Sequence, residues 1–480
     1  MSWSPTTGGP QIPAPDPSAE TLFEPALAER VLARALARGG DFAELYAEQR
    51  SSFSVALDDR KLERAQSGHD LGASIRIIAG ESTYFGHVDG LAEQDLERLA
   101  DGVAAAVSGS SASSKALGPR ARAAGQEIEQ HPEDVPAERK AEMLRECDER
   151  ARSRGAEIVQ VSVNYTEDRT RVQIANSDGM HAADDRTRVR MGVQAVARRD
   201  DRVETGAETL AGHVGFELFA GDFAGIADEA ARRALTMLDA RPAPAGPMTV
   251  VVGNGFGGVL FHDATGHGLE ADAIQKNASV YSGRLGERVA GSLVTAYDDG
   301  SLAGEWGTDG IDDEGTPTQA TRVIEQGKLG SYLYDITRGR KDGTRSTGNG
   351  RRQSFRHLPI PRMTNTYIAP GDADPEDIIG DVKHGVFAVS FAGGQVEPAT
   401  GSFVFGVSEG YLIEQGKVTA PLRGLTLLGS SLEVLKRIDA VGNDLAFKSG
   451  FCGKDGQRVP VGTGQPTVRI SELTVGGTAV

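Results

Sequence analysis

Cysteine is nearly absent from these 480 residues: Cys147 and Cys452 are the only two, and they lie far apart in the sequence. So sparse a set excludes a disulfide framework, and a reduced pair is the expectation. Aromatic residues make up only 6% of the chain. Nowhere do apolar residues run for the roughly eighteen positions that a membrane-spanning helix needs. Positive charge is short as well, with 51 Lys and Arg against 68 Asp and Glu, a net charge of −17. That balance argues against nucleic acid or an anionic membrane as the default partner. The first twenty residues, MSWSPTTGGPQIPAPDPSAE, have neither the basic nor the apolar segment of a secretory signal. Residues 1–20 are expected to form a disordered, Pro-rich tail, and the cytoplasm is the expected location.

What the chain does have is glycine, 61 residues of it, within an otherwise ordinary globular composition of 39% hydrophobic and 25% charged residues. Its length exceeds a single core, so more than one domain is expected. The fold class expected is α+β: an N-terminal α+β region over 21–240, then a β-rich C-terminal domain over 247–480 carrying one metal-binding helix. In the first region, helical spacing of apolar residues predicts helices at Glu24–Arg38, Leu91–Val107, Ala137–Arg154 and Phe223–Leu238. Between them, strands are predicted at Phe42–Ala47, Ser52–Leu57, Gly72–Ile78, Glu157–Tyr165, Arg171–Ala175 and Thr187–Arg198, with a small-residue linker at Ser108–Arg120. Cys147 falls in a helix without ligand-type neighbours and reads as a buried small hydrophobe. Beyond the Pro-rich hinge at Ala240–Pro247, Gly-punctuated strands are predicted, among them Leu329–Tyr334, Gly385–Phe391 and Phe403–Glu414. Leu432–Ile438 is the one good helix candidate there apart from that around His262.

The functional signal is concentrated in Thr249–Asp272, TVVVGNGFGGVLFHDATGHGLEAD. A β-branched run enters glycines, an apolar segment follows, and then come His262, Asp263, His267 and Glu270. Two imidazoles flanked by carboxylates suit a catalytic metal, which takes three protein ligands and leaves a position for water. A neighbouring carboxylate, here Asp263, then accepts a proton as that water attacks a carbonyl. The spacing is unusual. On a regular helix a five-residue step turns the second imidazole by about 140° away from the first. The helix therefore has to distort or end between the two, which Gly266 and Gly268 would permit. Chance yields roughly 0.02 occurrences of His-acid-x-x-x-His in this composition, so the pattern alone does not identify a site.

Three further features compete or complement. Gly253, Gly255 and Gly258 spell G-x-G-x-x-G between a strand and a helix, the setting of a dinucleotide site, but no acid closing a second parallel strand follows. The basic run RGRKDGTRSTGNGRRQSFR, Arg338–Arg356, reads as a solvated, mobile loop, or as one that attracts a peptide carboxylate or lines a partner surface. Cys452, between Phe451 and Gly453 and close to Lys454, is accessible enough for a ligand or a reactive thiol. Spacing alone does not connect it to residues 190 positions upstream.

HDATGHGLEAD resembles the HExxxH region of the TldD/PmbA peptidase family, on its catalytic TldD-like side. The resemblance extends through RHLPIPRMTNTYIAPGD, GGQVEPATGSFVFGVSEGYLIEQGK, RGLTLLGSSLEVLKRID and FCGKDGQRVPVGTGQPT, and is weaker in the N-terminal half. It implies a cytoplasmic zinc metallopeptidase that pairs with a TldE/PmbA-like subunit, as a heterodimer or as a homodimer in its absence. It implies Zn2+ held by His262, His267 and Cys452, and unfolded peptides bound in extended form with little sequence preference. Glu270, three residues past His267, is placed to orient that imidazole. One position departs: the family's general base is Glu, and this chain has Asp263. Its carboxylate is withdrawn by about 1.5 Å, a displacement that can cost about 10²-fold where geometry is tight. The alternative implied is a catalytically impaired or non-catalytic peptide-binding subunit.

Overall fold

The computed structural model describes residues 21–109, 112–122 and 126–478. The tail expected over residues 1–20, and residues 110 and 111 of the expected linker, lie outside them. The chain is mixed α+β with a β-rich C-terminal part, as expected.

The N-terminal part is built on one long sheet. Its strands are β1 (Phe42–Asp58), β2 (Lys61–Ala79), β3 (Ser82–Asp89), β4 (Ala121–Arg122), β5 (Ile158–Asn176), β6 (His181–Arg199) and β7 (Arg202–Gly212). They run in the order β3-β2-β1-β5-β6-β4, with β7 also on β6. The sequence pattern breaks β1 and β5 into two pieces each; both are continuous. Glu48–Ser51 lacks an apolar alternation but pairs residue by residue with β2 and β5, so the ladder carries the strand through. Asp59 and Arg60, both at positive φ, form the β1–β2 turn. Strand β7, RVETGAETLAG, was not predicted because its polar composition hides it.

One face of the sheet is covered by four helices: α1 (Pro25–Ala35) and α2 (Glu93–Ala104) at one end, α3 (Ala137–Ser153) and α4 (Gly225–Leu238) at the other. Cys147 lies buried in the second of these cores. The two-residue period of β1 sends Ala43, Leu45 and Ala47 to the helices and Glu44, Tyr46 and Glu48 to the other face. That second face packs against the C-terminal lobe.

The C-terminal lobe contains two larger sheets. In the eight-stranded one, strands Gly246–Val252, Val468–Gly476, Thr426–Ser430, Ser402–Glu414 and His384–Glu397 pair in a closed ring. The six-stranded sheet runs Lys328–Leu329, Ala320–Glu325, Ala296–Asp299, Asn365–Ile368, Gln457–Gln465, Ala446–Lys454. A short helix, α5 (Gly258–Ala264), is buried between them.

Three expectations need correction. The strand expected at Leu329–Tyr334 is only Lys328–Leu329, because Tyr332 and Leu333 are held instead by tertiary packing and by a bridge to Glu270. The helix candidate at Leu432–Ile438, observed at Ser431–Lys436, is joined by short helices at Ile336–Asp342 and Pro375–Gly380. The basic run is solvated only in part: residues 340–345 are exposed, and residues 348–352 are buried. It begins in the first of those helices; near its end Arg352 is buried against the N-terminal sheet, and Arg351 is buried within the C-terminal lobe, where it donates to the Met363 and Pro460 carbonyls. Arg352 pairs with Glu44 at 2.5 Å and Arg356 with Asp70 at 2.5 Å.

Candidate metal centre

The central strand Gly246–Val252 ends with three fully buried valines and delivers the chain to a glycine turn. Those glycines are dictated by packing. A Cβ on Gly258 would lie 2.5 Å from the backbone nitrogen of Gly464, and one on Gly257 2.1 Å from the Gln465 amide. Helix α5 therefore starts in direct backbone contact with the Gln457–Gln465 strand, which accounts for Gly257 and Gly258, and Gly255 sits at a positive φ of 66°.

Helix α5 carries His262 and Asp263 and stops at Thr265 (φ −120°, ψ −50°), whose hydroxyl accepts from Tyr281 at 3.3 Å. The chain continues as a 3-10 turn, Gly266–Leu269, bearing His267, and then extends at Glu270. The break undoes the angular mismatch of a five-residue step: the imidazoles meet edge to face with ring centres 5.6 Å apart. Gly266 and Gly268 allow it because Met363 and Tyr281 fill the space where their side chains would stand.

Cys452 reaches the same point from the Ala446–Lys454 strand. Its Sγ lies 3.2 Å from His267 Nε2, and ligand atoms of His262, His267 and Cys452 all lie within 4.8 Å of one another. The thiol is buried, not accessible as the sequence suggested. Asp263 stands beside the group, one carboxylate oxygen 4.0 Å from His267 Nε2. Burial raises its pKa, and the two imidazoles oppose that rise.

Each imidazole is fixed through Nδ1. His267 Nδ1 meets Glu270 at 3.1 Å, and Glu270 is held by Lys454 Nζ at 3.0 Å. His262 Nδ1 meets Thr366 Oγ1 at 3.1 Å, and that hydroxyl donates to Asp298, also at 3.1 Å. Asp298 is fixed in turn by Thr364 and Asn349. With Nδ1 engaged, both Nε2 atoms are left for the space facing Cys452. Sequence reasoning found Glu270, named Lys454 only as a neighbour of Cys452, and missed Thr366, Asp298 and Arg362, whose guanidinium donates to the Cys452 carbonyl at 2.6 Å. Thr366, Arg362 and Lys454 do lie inside the blocks that carry the family resemblance; Asp298 lies in none.

Electrostatics favour a thiolate. Burial alone would raise the Cys452 thiol, but the two imidazoles outweigh it and bring its pKa down to about 4. Burial likewise opposes a charged His267, and Glu270 with Cys452 overcomes it, holding that imidazole well above its usual value. His262 Nε2 is buried and makes no hydrogen bond. A buried, unsatisfied nitrogen aimed at a thiolate and a second imidazole is what a metal ligand looks like without its ion. Ligand atoms of a tetrahedral site stand roughly 3.3–3.6 Å apart, so small adjustments would admit an ion.

Comparison with known proteins agrees over most of the chain. Residues 43–108 match the family model for the PmbA/TldA metallopeptidase domain 1, 130–238 that for the central domain, and 245–477 that for the C-terminal domain. A metalloprotease TldD homolog of Haemophilus influenzae is 40% identical over 92% of this chain and 94% of its own length. A zinc metalloprotease TldD homolog of Saccharolobus solfataricus is 27% identical over 92% of this chain and 97% of its own. Among solved structures, a putative modulator of a DNA gyrase from Thermotoga maritima superposes with a TM-score of 0.78 at 22% identity, covering 94% of this chain and 99% of that one. TldE from Thermococcus kodakarensis superposes at 0.74 and 18%, covering 91% and 97%.

Proposed function

The chain belongs to the PmbA/TldD metallopeptidase family and is a metallopeptidase; from that premise we propose that it is a zinc enzyme hydrolysing unfolded or short peptides bound in extended form. The observation that carries this reading is the convergence of His262, His267 and Cys452 within 4.8 Å, with Asp263 beside them. One thiolate and two imidazoles are a donor set suited to zinc. When bound, zinc would supply Lewis-acid polarisation of the scissile carbonyl and a more acidic water.

The protein's own part is proton traffic and orientation. Asp263 accepts the proton of the attacking water and returns it to the leaving amine. Burial raises its carboxyl, which strengthens it as the base that takes the proton. Glu270 and Thr366 hold the two imidazoles in the tautomer that turns Nε2 inward. Substrate recognition through backbone pairing gives affinity without side-chain preference. A TldE-like subunit is the proposed partner, the fold likeness to TldE being its support, with self-association in its absence. The cytoplasm is the proposed location; no helix among the described residues is long and apolar enough to cross a membrane.

A second reading, a non-catalytic peptide-binding subunit, is favoured by one residue: Asp263 stands where the related motif has Glu. Metal analysis and turnover of an unstructured peptide, with and without a TldE-like subunit, separate the two. Zinc at one equivalent, lost in Cys452→Ala, is expected. Asp263→Asn should keep the zinc and lower kcat by about 10²-fold or more. Full zinc retention in Cys452→Ala would remove the three-ligand assignment. Turnover unaffected by Asp263→Asn would remove the general base.

A further inference from the structure

Away from the metal centre, the densest charge in the molecule lies where the N-terminal sheet meets the C-terminal lobe. Strand β6 presents Arg186, Arg188 and Arg190 at alternate positions, on one face. Arg186 is met by Asp184 at 2.9 Å and Asp313 at 2.7 Å, and Arg188 by Asp309 at 2.6 Å. Arg190 is different: its guanidinium has the Thr209 hydroxyl at 3.3 Å and no carboxylate among the described residues. Burial, and then the nearby charge of Arg458, push its pKa down. Arg458 has no carboxylate partner among the described residues either, and its guanidinium lies 4.9 Å from the Phe451 ring centre. Two arginines close enough to repel, both without a counterion, leave a place for an external anion.

A cavity of about 280 Å³ opens beside Arg458, with Arg190 behind its lining. Its walls hold six arginines against four carboxylates, Glu48, Asp168, Asp309 and Asp313, with Asp184 and Glu44 behind them on Arg186 and Arg352, so that Arg458 is the one wall arginine without a carboxylate partner among the described residues. Burial pushes Glu48 up to about 7, so its negative charge is reduced near neutral pH. Trp306 and Phe451 meet edge to face at 5.6 Å beside it, and Phe451 is 48% exposed, unusual for so large an apolar group.

The cavity is coupled to the metal centre by strand register. In the hairpin formed by Ala446–Lys454 and Gln457–Gln465, Phe451 faces Pro460, Cys452 faces Val459 and Gly453 faces Arg458. Alternation sends Cys452 and Val459 to the metal side and Phe451, Arg458 and Pro460 to the cavity side. One strand thus contributes to both.

We propose that this cavity is a subsite for a carboxylate of the bound peptide, with Arg458 meeting the carboxylate and Phe451 and Trp306 flanking the residue that bears it. The proposal rests on the peptidase reading above. An arginine presents paired N–H donors to a carboxylate, and the volume suits one terminal or acidic residue and no longer segment. The carboxylate is either the peptide's C-terminus or an acidic side chain.

Three forms of one labelled, unstructured peptide test it: the free acid, the C-terminal amide, and an amide with an internal Gln replaced by Glu. Their binding to the zinc-loaded protein is read by fluorescence anisotropy, and KM alongside. At least one carboxylate form is expected to bind about tenfold more tightly than the neutral amide, and which form gains identifies the source. Arg458→Gln should bring that form down to the level of the amide, and Arg458→Lys should keep part of the preference. Equal binding of all three forms, or equal weakening of all three by Arg458→Gln, would overturn the subsite. If no form is turned over, the peptidase reading fails, while the anisotropy series still decides whether a carboxylate is bound.

Discussion

At the scale of single residues, the two imidazoles are held by unequal devices. His267 rests on a carboxylate, Glu270, and His262 on a hydroxyl, Thr366, backed by Asp298. Removing the hydroxyl frees the His262 ring to take either tautomer, and one of them puts a proton where the metal would bind. Thr366→Val is therefore expected to weaken zinc binding by about 10-fold or more, and Thr366→Ser to preserve it, as read by competition with a chelator. Asp263→Glu adds the one methylene by which this chain departs from its family, and we expect kcat to rise on an unstructured peptide. A fall would mean that the site is built around Asp. The residues that converge were legible in the sequence, His262 and His267 from their own stretch and Cys452 through the C-terminal blocks. Thr366 and Asp298 were not, because they sit on separate strands, and nothing local marks a threonine as the partner of a histidine.

At the scale of elements, the decisive feature is the end of α5 at Thr265, which lets residues five apart face one point. The sequence required such a break and named the glycines that permit it. It did not reveal why Gly257 and Gly258 precede the helix, since that depends on the distant strand Gln457–Gln465. A methyl group on Gly258 would meet the Gly464 backbone, which cannot swing aside as a side chain can. Gly258→Ala is expected to destabilise the C-terminal lobe by about 3 kcal/mol and to lower zinc stoichiometry, measurable by calorimetry and metal analysis. An unchanged melting temperature would show that the helix start has room to shift. Strand lengths were the least legible feature of this level. Polar stretches such as Glu48–Ser51 and the whole of β7 carry no apolar alternation, and only pairing on their neighbours makes them strands.

At the scale of the whole molecule, the two lobes are joined through buried charge, and that junction explains why the basic run was misread. Its buried arginines look solvated until the carboxylates of β1 and of Asp309–Glu314 are brought to them, and Glu44 lies 308 residues from Arg352 while Asp309 lies 42 from Arg351. Arg352 illustrates the cost of breaking such a pair. It is fully buried, bonded to Glu44 and stacked 4.1 Å over Tyr46. Arg352→Met should destabilise by about 3–5 kcal/mol, because Glu44 then keeps a buried charge with one partner fewer. The same face makes stability depend on pH. Glu48 is pushed up to about 7 by burial, from an ordinary value of 4.5, and accepts a hydrogen bond from Tyr46 at 2.8 Å. Its folded pKa is above its unfolded one, so the folded chain binds the extra proton. The stability this contributes is complete below pH 4.5 and is lost as pH rises through 7. His181 and His213, brought down by burial to about 4 and about 3, act in the opposite sense, their contribution growing as pH rises towards 6.5. A comparison of Glu48→Gln with the parent at each pH cancels them. Gln keeps an acceptor for Tyr46 and never ionises. The two proteins should therefore unfold at similar urea concentrations at pH 5. At pH 8.5 the variant should be the more stable, by roughly 2–3 kcal/mol. Equal midpoints at both pH values would place Glu48 in a wetter setting than its burial between the lobes describes.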